Sequence, residues 1–199
     1  MKFMGYRRND GKVGIRNYVL ILATSVCSNK LAEDISRAVE GSTHINNTFG
    51  CCQLGGDARL TLKTIVNTGI HPNVGAVLVV GLGCEGAEPL EVYNEIKKTG
   101  KKVEMITIQG EGGTLKAFAK GVSISRKFAQ ELSLEKKVEC DISELILGME
   151  CGGSDTTSGL ASNPTCGVAS DILVGMGGTS ILSETTEFIG AEHVVARRG

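Results

Sequence analysis

Short apolar runs alternate with amphipathic segments along most of this chain. The runs YVLILA and AVLVV have no polar face, which is typical of strands buried on both sides in a parallel sheet. Between the runs, apolar residues recur every three or four positions, as at Leu31, Ile35 and Val39, which indicates helices with one buried face. The pattern predicts strands over 17–26, 42–49, 74–83, 101–110, 144–150 and 179–184, and helices over 28–41, 55–69, 88–100, 114–132 and 163–178.

This alternation of about six strands with helices predicts an α/β fold. We expect three layers, Rossmann-like or flavodoxin-like, in which a mostly parallel sheet carries helices on both faces. The chain shows no internal repeat, linker or low-complexity segment, so residues 1–199 are interpreted as a single domain. A further amphipathic segment starts at residue 185 and the sequence stops within it, which leads us to expect a longer natural protein.

The charge of the chain is nearly balanced, with 21 basic and 22 acidic residues. Such a balance provides no field for nucleic acid or for an anionic membrane, so a small-molecule or protein partner is expected instead. No apolar run approaches the roughly 20 residues that a membrane-spanning helix needs, and the first residues lack the apolar core of a secretion signal. We therefore expect a cytoplasmic protein, whose seven cysteines are thiols or metal ligands rather than disulfides.

Cysteines follow four of the six predicted strands. Ligands bind beyond the carboxyl ends of strands in an open parallel sheet, so function is expected at these positions. Thiolates there favour zinc, Fe(II) or an iron–sulfur cluster, and neighbouring carboxylates favour harder ions. The alternative is that each cysteine is a small buried apolar residue. The candidates at the strand ends are Cys27, Cys51, Cys52, Cys84, Glu85, Gln109, Glu111, Glu150, Cys151, Ser154, Asp155, Ser183 and Glu184, whereas Cys140, Cys166 and His71 are expected to be structural.

The loop GLGCEG, residues 81–86, has the glycine spacing of a dinucleotide-binding loop between a strand and a helix. Such a site needs an acidic residue at the end of the next strand, and this chain has Ile108 and Gln109 there. We therefore favour a small anionic ligand, bound by backbone N–H groups at the helix N-terminus.

A second glycine-rich loop, GGSDTTSG, covers residues 152–159. Its hydroxyl groups and the carboxylate of Asp155 form a set suited to a polyhydroxylated acid, and the alternative is an N-capping turn before the next helix. Arg8 and Arg16 flank a predicted Asp-Gly hairpin turn. They are candidates for bidentate binding of a carboxylate, or else are solvated charges beside a turn.

Three long motifs, GYRRNDGKVGIRNYVLIL, HPNVGAVLVVGLGCE and CGGSDTTSGLASNPTCGVASDILVGMGGTSILSETTEFIGAEH, together extend from Gly5 to His193. They resemble the altronate/galactarate dehydratase family of sugar-acid hydro-lyases. The resemblance implies dehydration of an aldonic or aldaric acid to a 2-keto-3-deoxy acid, with a divalent metal as cofactor, Fe(II) or alternatively Mn(II). It also implies that the chain is the first half of a longer catalytic region, inactive by itself, which works with a small β-clip domain or subunit. We further expect a homo-oligomer.

The family also includes the large subunits of sulfolactate sulfo-lyases, which eliminate sulfite instead of water. The stretch Phe49-Gly50-Cys51-Cys52 departs from the histidine and spaced cysteines of altronate-type members. A sulfo-lyase subunit is therefore an alternative to the dehydratase. A non-catalytic anion-binding or assembly domain and an iron–sulfur protein are further alternatives.

Elimination next to a carboxylate needs a base for the α proton and a group that stabilises the enediolate charge. With the resemblance in mind, we assign the metal to Cys51, Cys84 and Cys151. Substrate binding is assigned to Arg8, Arg16, Gly152, Gly153, Ser154 and Asp155. Catalytic roles are assigned to Glu85, Asp155 and Glu184, with Glu150 as a further candidate base, on the condition that burial raises the carboxyl pKa. The alternative is a lysine or histidine from the rest of the protein.

Overall fold

The computed structural model describes residues 1–197, and their contacts form two compact units. The large unit contains Met4–Val138, and the small unit contains Met1–Phe3 and the residues from Glu139 onward. The sequence pattern treats residues 1–199 as one domain, but the described strands do not form one continuous sheet. Six strands pair in parallel as expected, four in one sheet and two in another.

The large unit follows the predicted alternation of strands and helices. No helix of the described chain is long and apolar enough to cross a membrane. The elements up to residue 133 are β1 (Lys2–Arg7), β2 (Val13–Gly14), β3 (Tyr18–Ala23), α1 (Asn29–Ala38), β4 (Ser42–Ile45), α2 (Gly55–Ile70), β5 (Val74–Gly81), α3 (Pro89–Lys97), β6 (Lys102–Thr107) and α4 (Thr114–Ser133).

A four-stranded parallel sheet forms the middle layer of the large unit, in the order β4-β3-β5-β6. In this order the chain turns back between β3 and β5, as in the first four strands of a flavodoxin-like sheet. The registers Leu20↔Thr43, Leu20↔Val77 and Val77↔Val103 place the two apolar runs at the centre. The carboxyl ends of β3 and β5 therefore flank the switch point, where ligands bind in such sheets.

Alternating residues of the central strands pack against helices on opposite faces of the sheet. Val19 and Ile21 of β3 face the cluster that contains residues of α1 and α4, such as Ile35 and Phe128. Leu20 and Leu22 face the other cluster, which contains residues of α2 and α3. The predicted three-layer α/β fold is thereby confirmed.

The predicted turn at Arg8–Gly11 is also confirmed. The Gly11 N–H donates to the Arg8 carbonyl over 2.9 Å, and Gly11 has a φ of 83°, which favours glycine. β1 and β2 pair in antiparallel fashion on either side of the turn. The sequence pattern does not predict β1 because only Gly5 of its six residues is buried, so its apolar residues do not alternate regularly with polar ones.

The small unit contains a two-stranded parallel sheet with one crossing helix. Its elements are β7 (Val138–Asp141), which starts at the unit boundary, β8 (Ile146–Met149), α5 (Asn163–Gly175), β9 (Thr179–Leu182) and α6 (Glu192–Val195). β8 pairs with β9 in the register Met149↔Leu182. The helix predicted from residue 185 is interrupted, because a 3₁₀ turn ends at Phe188 and Gly190 takes a φ of 88° before α6 begins.

Candidate functional site

Three loops of the large unit meet at the carboxyl edge of the sheet, next to the switch point. They follow β3, β4 and β5. The Val26 N–H donates to the Phe49 carbonyl over 3.2 Å, and the Ala87 N–H donates to the Gly50 carbonyl over 3.1 Å. The Asn47 amide donates to the Thr24 carbonyl over 2.9 Å. These hydrogen bonds join the middle loop to the loops on both sides of it.

The three loops carry four exposed cysteines, Cys27, Cys51, Cys52 and Cys84, which we call the thiol cluster. The Sγ atoms of Cys51 and Cys52 are 3.7 Å apart. The pKa of Cys51 is raised, first by the hydrogen bond with Cys52 and by the charge of that neighbour, then by burial, and also by Cys84 and Cys27. The loops that carry Cys27 and Cys84 are each hydrogen-bonded to the loop that carries Cys51 and Cys52. The interpretation as buried apolar residues fails for these four cysteines and holds for Cys140, which is 2% exposed.

Glu85 shapes the loop that follows β5. Its carboxylate accepts hydrogen bonds from the Thr24 hydroxyl (2.7 Å) and from the backbone N–H groups of Leu82 (2.8 Å), Gly83 (2.6 Å) and Cys84 (3.0 Å). Burial alone raises the pKa of the Glu85 carboxyl, but these hydrogen bonds outweigh it and hold the pKa below its usual value. The condition for a base is not met, so we leave Glu85 out of the proposed catalytic groups and interpret it as the residue that holds the Cys84 loop in place.

Gly50 is a position where the middle loop packs closely against Thr24, the residue directly after β3. Its φ is 94°, and a Cβ atom there would lie 2.1 Å from the Thr24 carbonyl oxygen. We predict that Gly50→Ala lowers the free energy of unfolding by at least about 2 kcal/mol, because both the backbone conformation and the contact become strained. Urea denaturation measures the effect. The control is Gly56→Ala in α2, where a Cβ meets no atom within 4 Å. Equal unfolding midpoints for the two variants would contradict the expected strain.

A second group of metal-binding side chains lies in the small unit. Cys151 follows β8, and Glu184 and Glu187 follow β9. Their ligand atoms lie within 4.8 Å of one another, and we call this group the acid–thiol site. The Cys151 N–H donates to the Glu184 carboxylate over 2.8 Å, which joins the two strand ends. The structure thus brings together Cys151, predicted as a metal ligand, and Glu184, predicted as a catalytic residue.

The sequence analysis does not single out Glu187. The sequence feature that could have identified Glu187 is the spacing Glu-x-x-Glu directly after a strand. Glu184 precedes a 3₁₀ turn over Thr185–Phe188, and residues three apart overlie each other in such a turn. The periodicity instead predicts an α-helix from residue 185, so Glu187 is interpreted as part of a helix rather than as a partner of Glu184.

A pocket of about 380 Å³ opens beside the acid–thiol site. The Ser154 hydroxyl lies 3.6 Å from the Cys151 Sγ atom. The wall combines apolar side chains, those of Met149, Leu182 and Phe188, with a set of polar ones. The polar set is Glu150, Ser154, Ser158, Asn163, Ser170, Ser183, Glu184 and Glu187, and Cys166 also lines the wall. The expectation that Cys166 is structural is wrong, because this residue is exposed in α5 and lines the pocket.

Asp155 serves mainly as a helix cap. Its carboxylate accepts hydrogen bonds from the N–H groups of Thr157 (2.7 Å) and Ser158 (3.2 Å). The hydrogen bonds from the side chain and backbone of Thr157 hold the pKa of Asp155 below its usual value. The N-capping interpretation therefore accounts for Asp155, and the condition for a base is not met. Gly152 and Gly153 connect this cap to Cys151, and both are exposed.

The two arginines lie at the amino edge of the large unit's sheet, opposite the thiol cluster. The Arg8 guanidinium donates to the carbonyls of Pro72 (2.7 Å) and Arg16 (3.0 Å) and to the side chain of Asn17 (2.8 Å), all just before β3 or β5. The Arg8 side chain is only 11% exposed, and Arg16 lies beside it in the segment before β3. The Arg8 donors already bind the chain's own carbonyl and amide oxygens, so we leave Arg8 out of the proposed substrate-binding groups; Arg16 is exposed.

The predicted metal ligands are divided between the two units. Cys51 and Cys84 belong to the large unit and Cys151 to the small unit. The acid–thiol site offers one thiolate and two carboxylates, a mixed donor set that fits a borderline divalent ion such as Fe(II). The thiol cluster offers sulfur alone and fits softer centres.

Comparison with known proteins matches both units to one family. Residues 5–133 match the family model described as D-galactarate dehydratase/altronate hydrolase, second domain. Residues 142–199 match the model described as D-galactarate/altronate dehydratase, C-terminal. The boundary between the two matches falls in the same region as the boundary between the two compact units.

Curated relatives extend the similarity over nearly the whole chain. It is 40% identical over 196 residues to the (2R)-sulfolactate sulfo-lyase subunit beta of Chromohalobacter salexigens, covering 98% of this chain and 50% of the relative. It is 35% identical over 203 residues to the altronate dehydratase of Escherichia coli, covering 96% and 40%. It is 32% identical over 216 residues to the galactarate dehydratase (L-threo-forming) of Escherichia coli, covering 98% and 41%. The chain thus spans half or less of the length of these relatives, and it belongs to the D-galactarate/altronate dehydratase family.

Proposed function

We propose that the complete protein is a lyase that removes water from an aldonic or aldaric sugar acid, of the altronate or galactarate type, to give a 2-keto-3-deoxy acid. The observation that carries this proposal is the acid–thiol site beside a hydroxyl-rich pocket, in the unit that matches the dehydratase C-terminal model. The pocket provides polar groups for several substrate hydroxyls, and its volume suits a six-carbon acid.

The chemistry of the reaction defines what the pocket residues must do. The C2–H bond breaks and its proton goes to a base, and the C3–O bond breaks as the hydroxyl takes up a proton and leaves as water. The resulting enol then loses its O–H proton and gains one at C3 to become the 2-keto acid. We assign the base to Glu150 because, among the described residues that line the pocket, it is the carboxylate outside the acid–thiol site; Glu150 is exposed, so the assignment rests on its position and not on the burial expected from the sequence. A divalent ion, Fe(II) or Mn(II), held by Cys151, Glu184 and Glu187, would stabilise negative charge on the substrate carboxylate.

The hydroxyl groups of the wall orient the substrate. Ser154 and Ser158 lie on the segment that begins at Cys151, and Asn163 begins α5. Ser183 donates to the Met149 carbonyl over 2.6 Å, so its oxygen lone pairs remain available to accept a hydrogen bond from a substrate hydroxyl. Together these side chains bind the sugar hydroxyls and place C2 near the Glu150 carboxylate.

Elimination of sulfite from sulfolactate is a second candidate function. The 40% identity to the sulfo-lyase subunit exceeds the 35% identity to the altronate dehydratase, over similar shares of this chain. The sequence Gly50-Cys51-Cys52, which departs from the altronate-type pattern, points in the same direction. Both reactions remove a proton next to a carboxylate and expel a group from the adjacent carbon, so the same pocket groups serve either one.

A substrate panel on the complete natural protein tests the proposal. The protein, supplied with Fe(II) or Mn(II) under anaerobic conditions, is incubated separately with altronate, galactarate and sulfolactate. We expect a 2-keto-3-deoxy acid from one of the two sugar acids. Sulfite release from sulfolactate would select the second candidate instead. Turnover of none of the three would contradict both functions.

The exposed apolar side chains of the small unit suggest how the complete protein is assembled. Ile146, Ile181 and Leu182 of the two-stranded sheet are each at least half exposed, although parallel sheets are normally covered on both faces. We propose that the remainder of the catalytic region covers them, with a β-clip domain or subunit and further copies of the protein completing the enzyme. We also propose a cytoplasmic location, because the seven cysteines are free thiols, as expected in a reducing compartment.

A further inference from the structure

We propose that the thiol cluster of the large unit binds an iron–sulfur cluster through Cys27, Cys51, Cys52 and Cys84. The four side chains come from three loops that hydrogen bonds join at the carboxyl edge of the sheet. All four are exposed, so a cluster can be inserted without unfolding of the core. The site lies at the switch point between β3 and β5, where this class of sheet binds its ligands.

Hydrogen bonds from polar side chains hold the loops that carry Cys51, Cys52 and Cys84. Asn47 joins the middle loop to β3, and its own side-chain oxygen accepts from the Phe49 N–H over 3.0 Å. Gln53 accepts from the Gly50 N–H over 3.1 Å, which fixes the turn that presents Cys51 and Cys52. Glu85 and Thr24 fix the loop that presents Cys84. The loops are therefore built before any ligand binds, which reduces the entropy cost of binding.

The spacing of the thiols favours a polynuclear centre over a single zinc ion. Four thiolates around one zinc, each about 2.3 Å from the metal, lie roughly 3.8 Å from one another. Only the Cys51 and Cys52 sulfurs are that close, at 3.7 Å. Within the described part of the chain, the one trio of metal-ligating side chains within 4.8 Å of one another is the acid–thiol site. In a [2Fe–2S] cluster each iron takes two thiolates, so the close pair Cys51 and Cys52 suits one iron, and Cys27 and Cys84 on the neighbouring loops supply the ligands of the other.

Binding requires no change in the oxidation state of the protein. Each of the four thiols loses one proton to solvent and forms one bond from sulfur to iron. Two ferric ions and two sulfide ions, supplied together, complete a [2Fe–2S] cluster in which both irons stay ferric, so no electron is transferred. Thiolates gathered around one centre repel one another, and the positive charge of the iron relieves that repulsion. With four protein ligands no iron keeps an open position, so the centre has no assigned step in the elimination.

The test is anaerobic reconstitution of the complete natural protein with ferric iron and sulfide. We expect a brown protein with visible absorption, and iron and sulfide contents in equal amounts above those of the untreated protein. Cys27→Ser and Cys52→Ser should each lower the visible absorption per protein by at least half. The control is Cys166→Ser, an exposed cysteine of the small unit, which should keep the full absorption.

Three outcomes would overturn this proposal. They are a colourless protein after reconstitution, full absorption retained in both variants, or zinc bound by the thiol cluster in preference to iron and sulfide. The readouts do not depend on turnover. A colourless protein that dehydrates a sugar acid would remove the iron–sulfur proposal alone, and a brown protein inactive on the panel would remove the proposed function alone.

Discussion

Glu187→Gln in the complete protein is expected to lower iron affinity by at least about 100-fold, more than the 10–100-fold that losing an outer-shell partner costs. The reason is that the carboxylate belongs to a group of three ligand atoms within 4.8 Å, and an uncharged amide binds a divalent ion far more weakly. At a fixed, limiting iron concentration, kcat should fall by a similar factor. Iron titration followed by steady-state kinetics measures both quantities.

The matched comparison is Glu150→Gln, which changes a carboxylate of the same pocket that lies outside the group of three. This variant should keep its iron affinity and lose about 10²- to 10⁴-fold in kcat, as expected when a general base is removed. Glu139→Gln is the control, since Glu139 is an exposed residue of β7 that pairs with Lys2. Unchanged iron affinity in Glu187→Gln, or equal kcat in Glu150→Gln and Glu139→Gln, would contradict the assigned roles.

The sequence predicts the large unit well because its signals are local. The apolar runs in β3 and β5 have only one stable environment, the middle of a sheet covered on both faces. Helix periodicity then places α1 to α4 with small errors at their ends. The strand order is not local, because it depends on which side of β3 each crossover packs. The position of the switch point beside Cys27 and Cys84 is therefore not visible in the sequence.

The role of a site residue can be predicted from the sequence only when its hydrogen-bond partners are near it in the chain. Cysteines at strand ends are visible in the sequence, and in the structure hydrogen bonds join the loop of Cys51 to the loop of Cys84. Arg8 is different, because the carbonyl it binds belongs to Pro72, 64 residues away, and no pattern reveals that its donors are already used. Asp155 is ambiguous in sequence, since a hydroxyl-rich loop that binds a ligand and one that caps a helix have the same composition.

Glu85→Gln should destabilise the large unit by about 2–3 kcal/mol near neutral pH, because charge-assisted hydrogen bonds of this kind contribute about 1.5–3 kcal/mol. One carboxylate oxygen accepts from both Gly83 and Cys84, and an amide nitrogen in that place would face two N–H donors. Urea denaturation measures the change. Glu88→Gln is the matched control in the same loop, since Glu88 is exposed and its side chain makes no capping hydrogen bond.

The same pair of proteins should show a pH-dependent difference in stability. The pKa of Glu85 is lower in the folded protein than its ordinary value of 4.5, because the hydrogen bonds from Gly83, Thr24 and Leu82 outweigh burial. The carboxylate therefore contributes its full stabilisation above about pH 4.5 and loses it as the pH falls through the lowered folded-state pKa. The difference in free energy of unfolding between wild type and Glu85→Gln should be constant from about pH 7 down to about pH 5 and shrink below that. Other carboxyls with lowered pKa values, such as Asp141 and Asp155, are common to both proteins and cancel in the difference. A difference that stays constant down to about pH 3 would show that the loop does not depend on the charge of Glu85.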